Sequence, residues 1–205
     1  MRQTTLRKRW ILWDWGGVCC VAGEHFSNTR MLERCGLTAD EMSEKCRDLE
    51  VLLYRGQLDG EGFWNAVKTR FPLADFSFEE LHQSYLESYR IYDEVFSYIR
   101  NCPSTIAHAL LSNLGEDMSS HIVEKHQLKE FFKHRIFSHE IGLMKPDPKV
   151  FTVALQMIDA RPEDCLFIDD APANIEAGNR TGIRSILFTN TRATLSALAS
   201  ALKEQ

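Results

Sequence analysis

The chain is sparing with the residues that mark unusual proteins. Glycine and proline number only 11 and 6 in 205 residues, and aromatics make up 10%, which excludes collagen-like, mucin-like and disordered classes. Basic residues are in the minority: 24 Lys and Arg face 29 Asp and Glu, a net charge of −5. That balance excludes a basic protein with broad affinity for nucleic acid and argues against docking on an anionic membrane. No cysteines are spaced as Cys-x-x-Cys, so zinc-ribbon and thioredoxin-type motifs are absent. The six present (Cys19, Cys20, Cys35, Cys46, Cys102 and Cys165) suit no small secreted scaffold and read as reduced thiols of a cytoplasmic protein. Adjacent Cys19 and Cys20 are expected on opposite faces of a strand. A membrane span is also lacking. Arg2, Arg7, Lys8 and Arg9 ahead of the apolar run 10–22 imitate a signal peptide, but Asp14 interrupts the run, and Gly16 and Gly17 weaken any helix there.

What remains is an ordinary globular composition, 44% hydrophobic and 26% charged. A chain of this size buries roughly 70% of its unfolded surface, enough for a core without staples. Trp10-Ile11-Leu12-Trp13 is a short all-apolar run, suited to a strand buried on both faces. From about Glu24 to Arg100 apolar residues recur at helical spacing: Met31, Leu32 and Leu37; Leu49, Leu52 and Leu53; Phe63, Trp64 and Val67; Leu81, Tyr85, Leu86 and Tyr89. Four or five helices and no strand are predicted there. After Pro103 strands alternate with helices: strands over 106–111, 135–137, 165–168 and 185–188, helices over 117–126, 148–158, 172–180 and 194–202. The pattern predicts an α/β fold, a doubly wound (Rossmann-like) parallel sheet. Residues 1–22 and 101–205 form its core, and an all-helical insert over 23–100 acts as a lid.

Open α/β sheets bind ligands at the carboxyl ends of their strands. Three such ends here carry Asp14, Ser112-Asn113 and Asp169-Asp170. Carboxylates converging on one crevice repel each other unless a cation neutralises them. Mg²⁺, a hard ion held by oxygen, meets that need. Lys145, just before Pro146-Asp147-Pro148 at a helix entrance, can hold a phosphate and keep Asp14 ionised.

Read in order, four segments resemble the motifs of the haloacid dehalogenase-like hydrolase superfamily, subfamily IA. They are Trp10-Ile-Leu-Trp-Asp14-Trp-Gly-Gly-Val18, Leu110-Leu-Ser112-Asn, Gly142-Leu-Met-Lys145-Pro-Asp-Pro and Phe167-Ile-Asp169-Asp170-Ala-Pro-Ala-Asn174. The insert resembles that superfamily's C1 cap. The Asp-x-Gly-Gly-Val form and the stretch Tyr54-Arg-Gly-Gln-Leu-Asp-Gly-Glu-Gly-Phe-Trp64 are similar to the group of glucose-1-phosphate phosphatases and epoxide-hydrolase N-terminal domains. The resemblance implies a Mg²⁺-dependent phosphatase acting on a small phosphorylated metabolite, such as a sugar phosphate, as a monomer or homodimer. It implies that Asp14 attacks phosphorus and that Asp14, the Gly16 carbonyl, Asp169 and Asp170 hold the metal. It also implies that Ser112, Asn113 and Lys145 contact the phosphoryl group and that Gly17 makes the turn aiming backbone N–H groups at it. Trp15 is expected to wall the pocket, stack on a sugar face or pack against the cap.

One position departs from the pattern. Phosphatases of this superfamily carry a second Asp two residues after the nucleophile as general acid and base; here it is Gly16. Such a group contributes about 10²–10⁴ in rate, or roughly 3–5 kcal/mol of barrier. Three consequences are open: substrates with good leaving groups, a substitute proton donor such as His25 or Glu24, or weak catalysis in a phosphate-binding regulatory protein. A 2-haloacid dehalogenase also lacks the second Asp, but such enzymes need no Mg²⁺ and typically lack the paired acids present here as Asp169-Asp170.

Overall fold

The computed structural model of the chain describes residues 8–21 and 25–203. Gly23, the expected entry to the insert, and Glu24 lie outside them. The strands are β1 (Arg9–Trp13), β2 (Cys20–Val21), β3 (Arg90–Ile91), β4 (Ile106–Ser112), β5 (His134–Phe137), β6 (Cys165–Asp169) and β7 (Arg184–Leu187). The helices are α1 (Thr29–Cys35), α2 (Ala39–Tyr54), α3 (Gly60–Arg70), α4 (Phe78–Leu86), α5 (Asp93–Asn101), α6 (Glu116–Lys125), α7 (Ser138–Ile141), α8 (Pro148–Ile158), α9 (Pro172–Arg180) and α10 (Thr191–Ala201). Five strands form one parallel sheet in the order β5-β4-β1-β6-β7. The doubly wound α/β architecture expected from the sequence is therefore present. None of the helices among the described residues is long and apolar enough to cross a membrane.

β1 lies at the centre, and its alternation divides the core. Ile11 and Trp13 face a cluster with Val95 and Ile99 of α5, Ile122 of α6 and Leu198 of α10. Trp10 and Leu12 face a second cluster with Val150 and Phe151 of α8 and Ala177 of α9. A strand buried on both faces must be apolar throughout, which is why the run 10–13 has no polar residue. Each such side chain contributes about 1.5–3 kcal/mol on burial. Inside the first cluster the Trp13 indole donates to His108 Nδ1 at 3.1 Å. Burial pushes His108 down to about 4, so the ring stays neutral and accepts that bond.

The helices of the insert begin and end where side-chain chemistry allows. Asn28, Thr38, Asp59 and Ser77 cap α1 to α4 by accepting backbone N–H groups, and Thr38 with Glu41 completes a capping box. Their apolar faces, including Met31, Leu49, Phe63 and Leu81, join the first core cluster. In α8, Asp147 caps a helix whose first residue is Pro148, as predicted. α10 starts three residues before the predicted Thr194, because the Asn190 side chain accepts from Ala193 N at 2.9 Å.

Two expectations need correction. The stretch 24–100 does contain a strand: β3 pairs antiparallel with β2, Cys20 opposite Ile91 and Val21 opposite Arg90. Helices α1 to α4 lie between the two strands of this ribbon, and α5 follows it and packs against α10. Cys19 and Cys20 do not occupy opposite faces of one strand. Cys19 ends a turn, Cys20 opens β2, both are buried, and both N–H groups donate to the Trp15 carbonyl. All six cysteines are free.

Candidate active site

The carboxyl ends of β1, β4 and β6 are neighbours in the sheet, so Asp14, Ser112 and Asp169 arrive side by side. Asp14 is 8% exposed and its Oδ1 accepts three hydrogen bonds: Trp15 N at 2.7 Å, Ser112 Oγ at 2.8 Å and Lys145 Nζ at 2.9 Å. Lys145 is 2% exposed and also donates to Asp169 Oδ2 at 2.6 Å. The other Asp169 oxygen accepts from Ala171 N and Asn174 Nδ2, each at 2.9 Å. Asp170 stands at the exposed lip. Carboxylate oxygens of Asp14, Asp169 and Asp170 lie within 4.8 Å of one another. Among the described residues this is the one His, Cys, Asp and Glu cluster of that kind.

One ammonium therefore faces three carboxylates. Burial, opposed by Lys145 and reinforced by Asp169, pushes Asp14 up to about 6. Asp170 is raised by burial and by Asp169. Lys145 is lowered by burial, but Asp14 and Asp169 outweigh this and hold it above its ordinary value. The surplus of negative charge and the all-oxygen donor set fit a hard divalent cation better than a soft one.

The site is a cavity of about 240 Å³. Asp14, Gly16, Ser112, Asn113, Lys145 and Asp170 line its floor side, and Tyr54, Tyr85 and Tyr89 line it from the insert and the ribbon. Every sequence-predicted site residue except Gly17 and Asp169 lines it directly; Asp169 is reached through Lys145. Gly17 sits under Asp170 with φ +73°, and a Cβ there would fall 1.9 Å from Asp170 Oδ2. Asp170 is exposed and can swing aside. Gly17→Ala is expected to cost about 1–2 kcal/mol of stability through the left-handed backbone and, by turning Asp170 outward, to weaken Mg²⁺ binding about 10–100-fold. Calorimetric Mg²⁺ titration and thermal unfolding check the two effects separately.

For Trp15 the packing alternative is the one found, and Asn113 differs from expectation in what it touches. The Trp15 indole is not free to stack on a sugar: the residue is 2% exposed, packed on Tyr89, Phe96 and His126 with ring centroids 5.6 to 6.3 Å away. Its backbone N–H is the group that reaches Asp14. Asn113 is largely engaged with the Lys145 backbone, donating from Nδ2 to Lys145 O at 2.9 Å and accepting Lys145 N at 2.8 Å. It fixes the segment that presents the ammonium. Sequence reading missed the Lys145–Asp169 pair and the part played by Asn174, although Asn174 lies in the quoted fourth motif; only its spacing from Asp169 carried a signal.

Known proteins resemble the chain in sequence and in fold. The family profile of haloacid dehalogenase-like hydrolases matches residues 28–188. Bifunctional epoxide hydrolase 2 of Mus musculus is 32% identical over 78 residues, 38% of this chain and 13% of that one. The phosphoglycolate phosphatase of Aquifex aeolicus is 32% identical over 79 residues, 38% of this chain and 37% of that one. The matches thus span well under half the length of either relative. A HAD family enzyme of Bacteroides thetaiotaomicron, solved with magnesium and inorganic phosphate, superposes with a TM-score of 0.71 at 16% identity, over 88% of this chain and 93% of that one, a likeness of fold. With the profile covering most of its length, the chain belongs to the haloacid dehalogenase-like hydrolase family.

Proposed function

We propose that the chain is a Mg²⁺-dependent phosphatase of small phosphorylated metabolites, sugar phosphates among them, working through an aspartyl-phosphate on Asp14. The observation that carries this reading is the Asp14 carboxylate itself. It is held by three donors on one oxygen, beside a buried ammonium, with a second acid pair within 4.8 Å. Three donors on Oδ1 fix the carboxylate plane and leave Oδ2 to attack. In the first half-reaction the Asp14 O–P bond forms as the leaving-group oxygen departs from phosphorus. In the second, water attacks phosphorus and the carboxylate is released. Lys145, with N–H bonds to Asp14 and Asp169, keeps a third for the phosphoryl oxygens, and the Ser112 O–H, which rests on Asp14 Oδ1, would rotate toward them as charge develops in transfer. Asn113 and Asn174 keep Lys145 and Asp169 in place. Asp14, the Gly16 carbonyl, Asp169 and Asp170 would hold Mg²⁺, which supplies neutralising charge for the crowded acids and the phosphoryl group. The phosphoglycolate phosphatase relative and the fold relative solved with magnesium and phosphate support the same reading.

The test is phosphate release from p-nitrophenyl phosphate, sugar 1-phosphates, sugar 6-phosphates and an acyl phosphate, with and without Mg²⁺. Release that requires Mg²⁺ is expected. Halide release from chloroacetate without phosphate release from any member of the panel would make the chain a dehalogenase instead.

A further inference from the structure

Gly16 leaves the site without its usual proton donor, and the cavity offers a replacement from the opposite wall. Resting on the phosphatase reading, we propose that the Tyr54 hydroxyl protonates the leaving-group oxygen, and that the Glu50–His25 pair aims it. Tyr54 is the last residue of α2 and lines the same cavity as Asp14, Ser112 and Lys145. Its oxygen lies 3.4 Å from His25 Nδ1, and the same nitrogen lies 3.5 Å from Glu50 Oε1. Glu50 is one helical turn before Tyr54, and its carboxylate also accepts from Ser43 Oγ at 3.1 and 3.0 Å.

The direction of these bonds follows from what each group can do. Glu50 Oε1 can only accept and lies 3.5 Å from Nδ1, while the buried Nε2 has no partner among the described residues, which together favour the tautomer with its hydrogen on Nδ1. The Tyr54 oxygen shares that hydrogen as a second acceptor. The phenol hydrogen is then directed away from the imidazole, and Tyr54 lines the cavity of Asp14. His25 cannot swing to break this arrangement. It is 4% exposed and stacked on Tyr85 at 4.0 Å and 17°. His25 itself does not line the cavity of Asp14, which moves the donor role expected of it at the sequence level to Tyr54. Of the other two phenols lining the cavity, Tyr89 has its hydroxyl engaged with His126 Nε2 at 2.8 Å, and Tyr85 stacks on His25 but has, among the described residues, no imidazole or carboxylate at its hydroxyl to aim it. Burial, with Glu50 and Asp14 adding to it, raises the Tyr54 hydroxyl, which keeps it protonated and available as an acid at neutral pH.

The step balances. As the P–O bond to the leaving group breaks, its electron pair goes to that oxygen, which takes the Tyr54 proton. The phenolate left behind is held by His25 Nδ1–H. When water attacks the aspartyl-phosphate, the water proton returns to the phenolate, and the Asp14–phosphorus bond breaks. No other reactant is needed.

The experiment compares wild type, Tyr54→Phe and Glu50→Gln, all with Mg²⁺, on a good and a poor leaving group: p-nitrophenyl phosphate and an alkyl phosphate such as a sugar 6-phosphate. Tyr54→Phe is expected to lower kcat/KM, which reports the half-reaction that expels the leaving group, by about 10²–10⁴-fold on the alkyl phosphate and far less on p-nitrophenyl phosphate, while any slowing of the shared hydrolysis step appears in kcat on both. Glu50→Gln should lose activity in the same selective direction by a smaller factor. An equal fall of kcat/KM on both substrates, or no fall on the alkyl phosphate, overturns the proposal while Mg²⁺-dependent wild-type turnover keeps the phosphatase reading. Absence of wild-type release from both substrates overturns the two together.

Discussion

Asp14→Asn is expected to lower Mg²⁺-dependent phosphate release by about 10⁴–10⁶-fold, as loss of a nucleophile does elsewhere, with the fold intact. The amide cannot form the aspartyl-phosphate. Its oxygen can still occupy the place of Oδ1 and accept from Trp15 N, Ser112 Oγ and Lys145 Nζ. Lys145 keeps Asp169 as its ionic partner at 2.6 Å, and the repulsion between Asp14 and Asp169 disappears. Thermal unfolding should therefore show a protein no less stable than wild type. Turnover within tenfold of wild type would remove Asp14 from the chemistry.

Lys145→Met, unlike Asp14→Asn, is expected to damage stability as well as activity. The side chain fills similar volume but leaves Asp14 and Asp169 buried without a cation. Removing one partner of a buried ion pair costs about 3–5 kcal/mol. For a chain of this size that lowers Tm by about 6–20 °C, at about 2–4 °C per kcal/mol. The loss has a direction in pH. Asp14 is already raised to about 6 by burial, and without the ammonium it rises further. An acid held more protonated in the folded than in the unfolded chain gives stability at low pH that is lost as pH rises through its folded pKa. The variant should thus sit closer to wild type at pH 5 than at pH 8, and Mg²⁺ should restore part of the difference at pH 8. Melting curves at the two pH values, with and without Mg²⁺, measure all of this. A deficit that is the same at both would mean the ion pair is not what the lysine contributes.

The contrast between Asp14 and Trp15 explains how much of this site was legible in the sequence. Asp14 alone, at the end of an all-apolar run, reads most often as a turn or cap; it is legible because it stands first in an ordered series with Ser112, Lys145 and Asp169. The same logic found Ser112 and Asp169, and sheet topology brought them together. Trp15 was readable only as an aromatic near the site. Whether its ring turns to the cavity or into Tyr89, Phe96 and His126 depends on residues up to 111 positions away, which no local pattern encodes. The β2–β3 ribbon escaped for another reason: strands of two residues are too short to display a period. Tyr54 fell in the right motif, yet its relation to His25 and Glu50 is a product of how the helices pack.

The contact between Gly60 and Asp117 bears on how such a protein can be rebuilt by recombination. Gly60 is the first residue of α3, and a Cβ there would fall 1.8 Å from Asp117 Oδ2 of α6. Close by, a Cβ on Gly115 would meet Leu53 of α2 at 2.9 Å. The insert and the sheet domain are thus keyed to each other at two points, with the small residue on opposite sides. A chimaera that borrows its helical insert from a relative keeps this fit with a glycine at 60, and otherwise displaces the partly exposed Asp117 carboxylate. It must likewise match the residue at 53 to Gly115. Exchange of helical inserts within this architecture is constrained by pairs of positions that do not themselves line the cavity of Asp14.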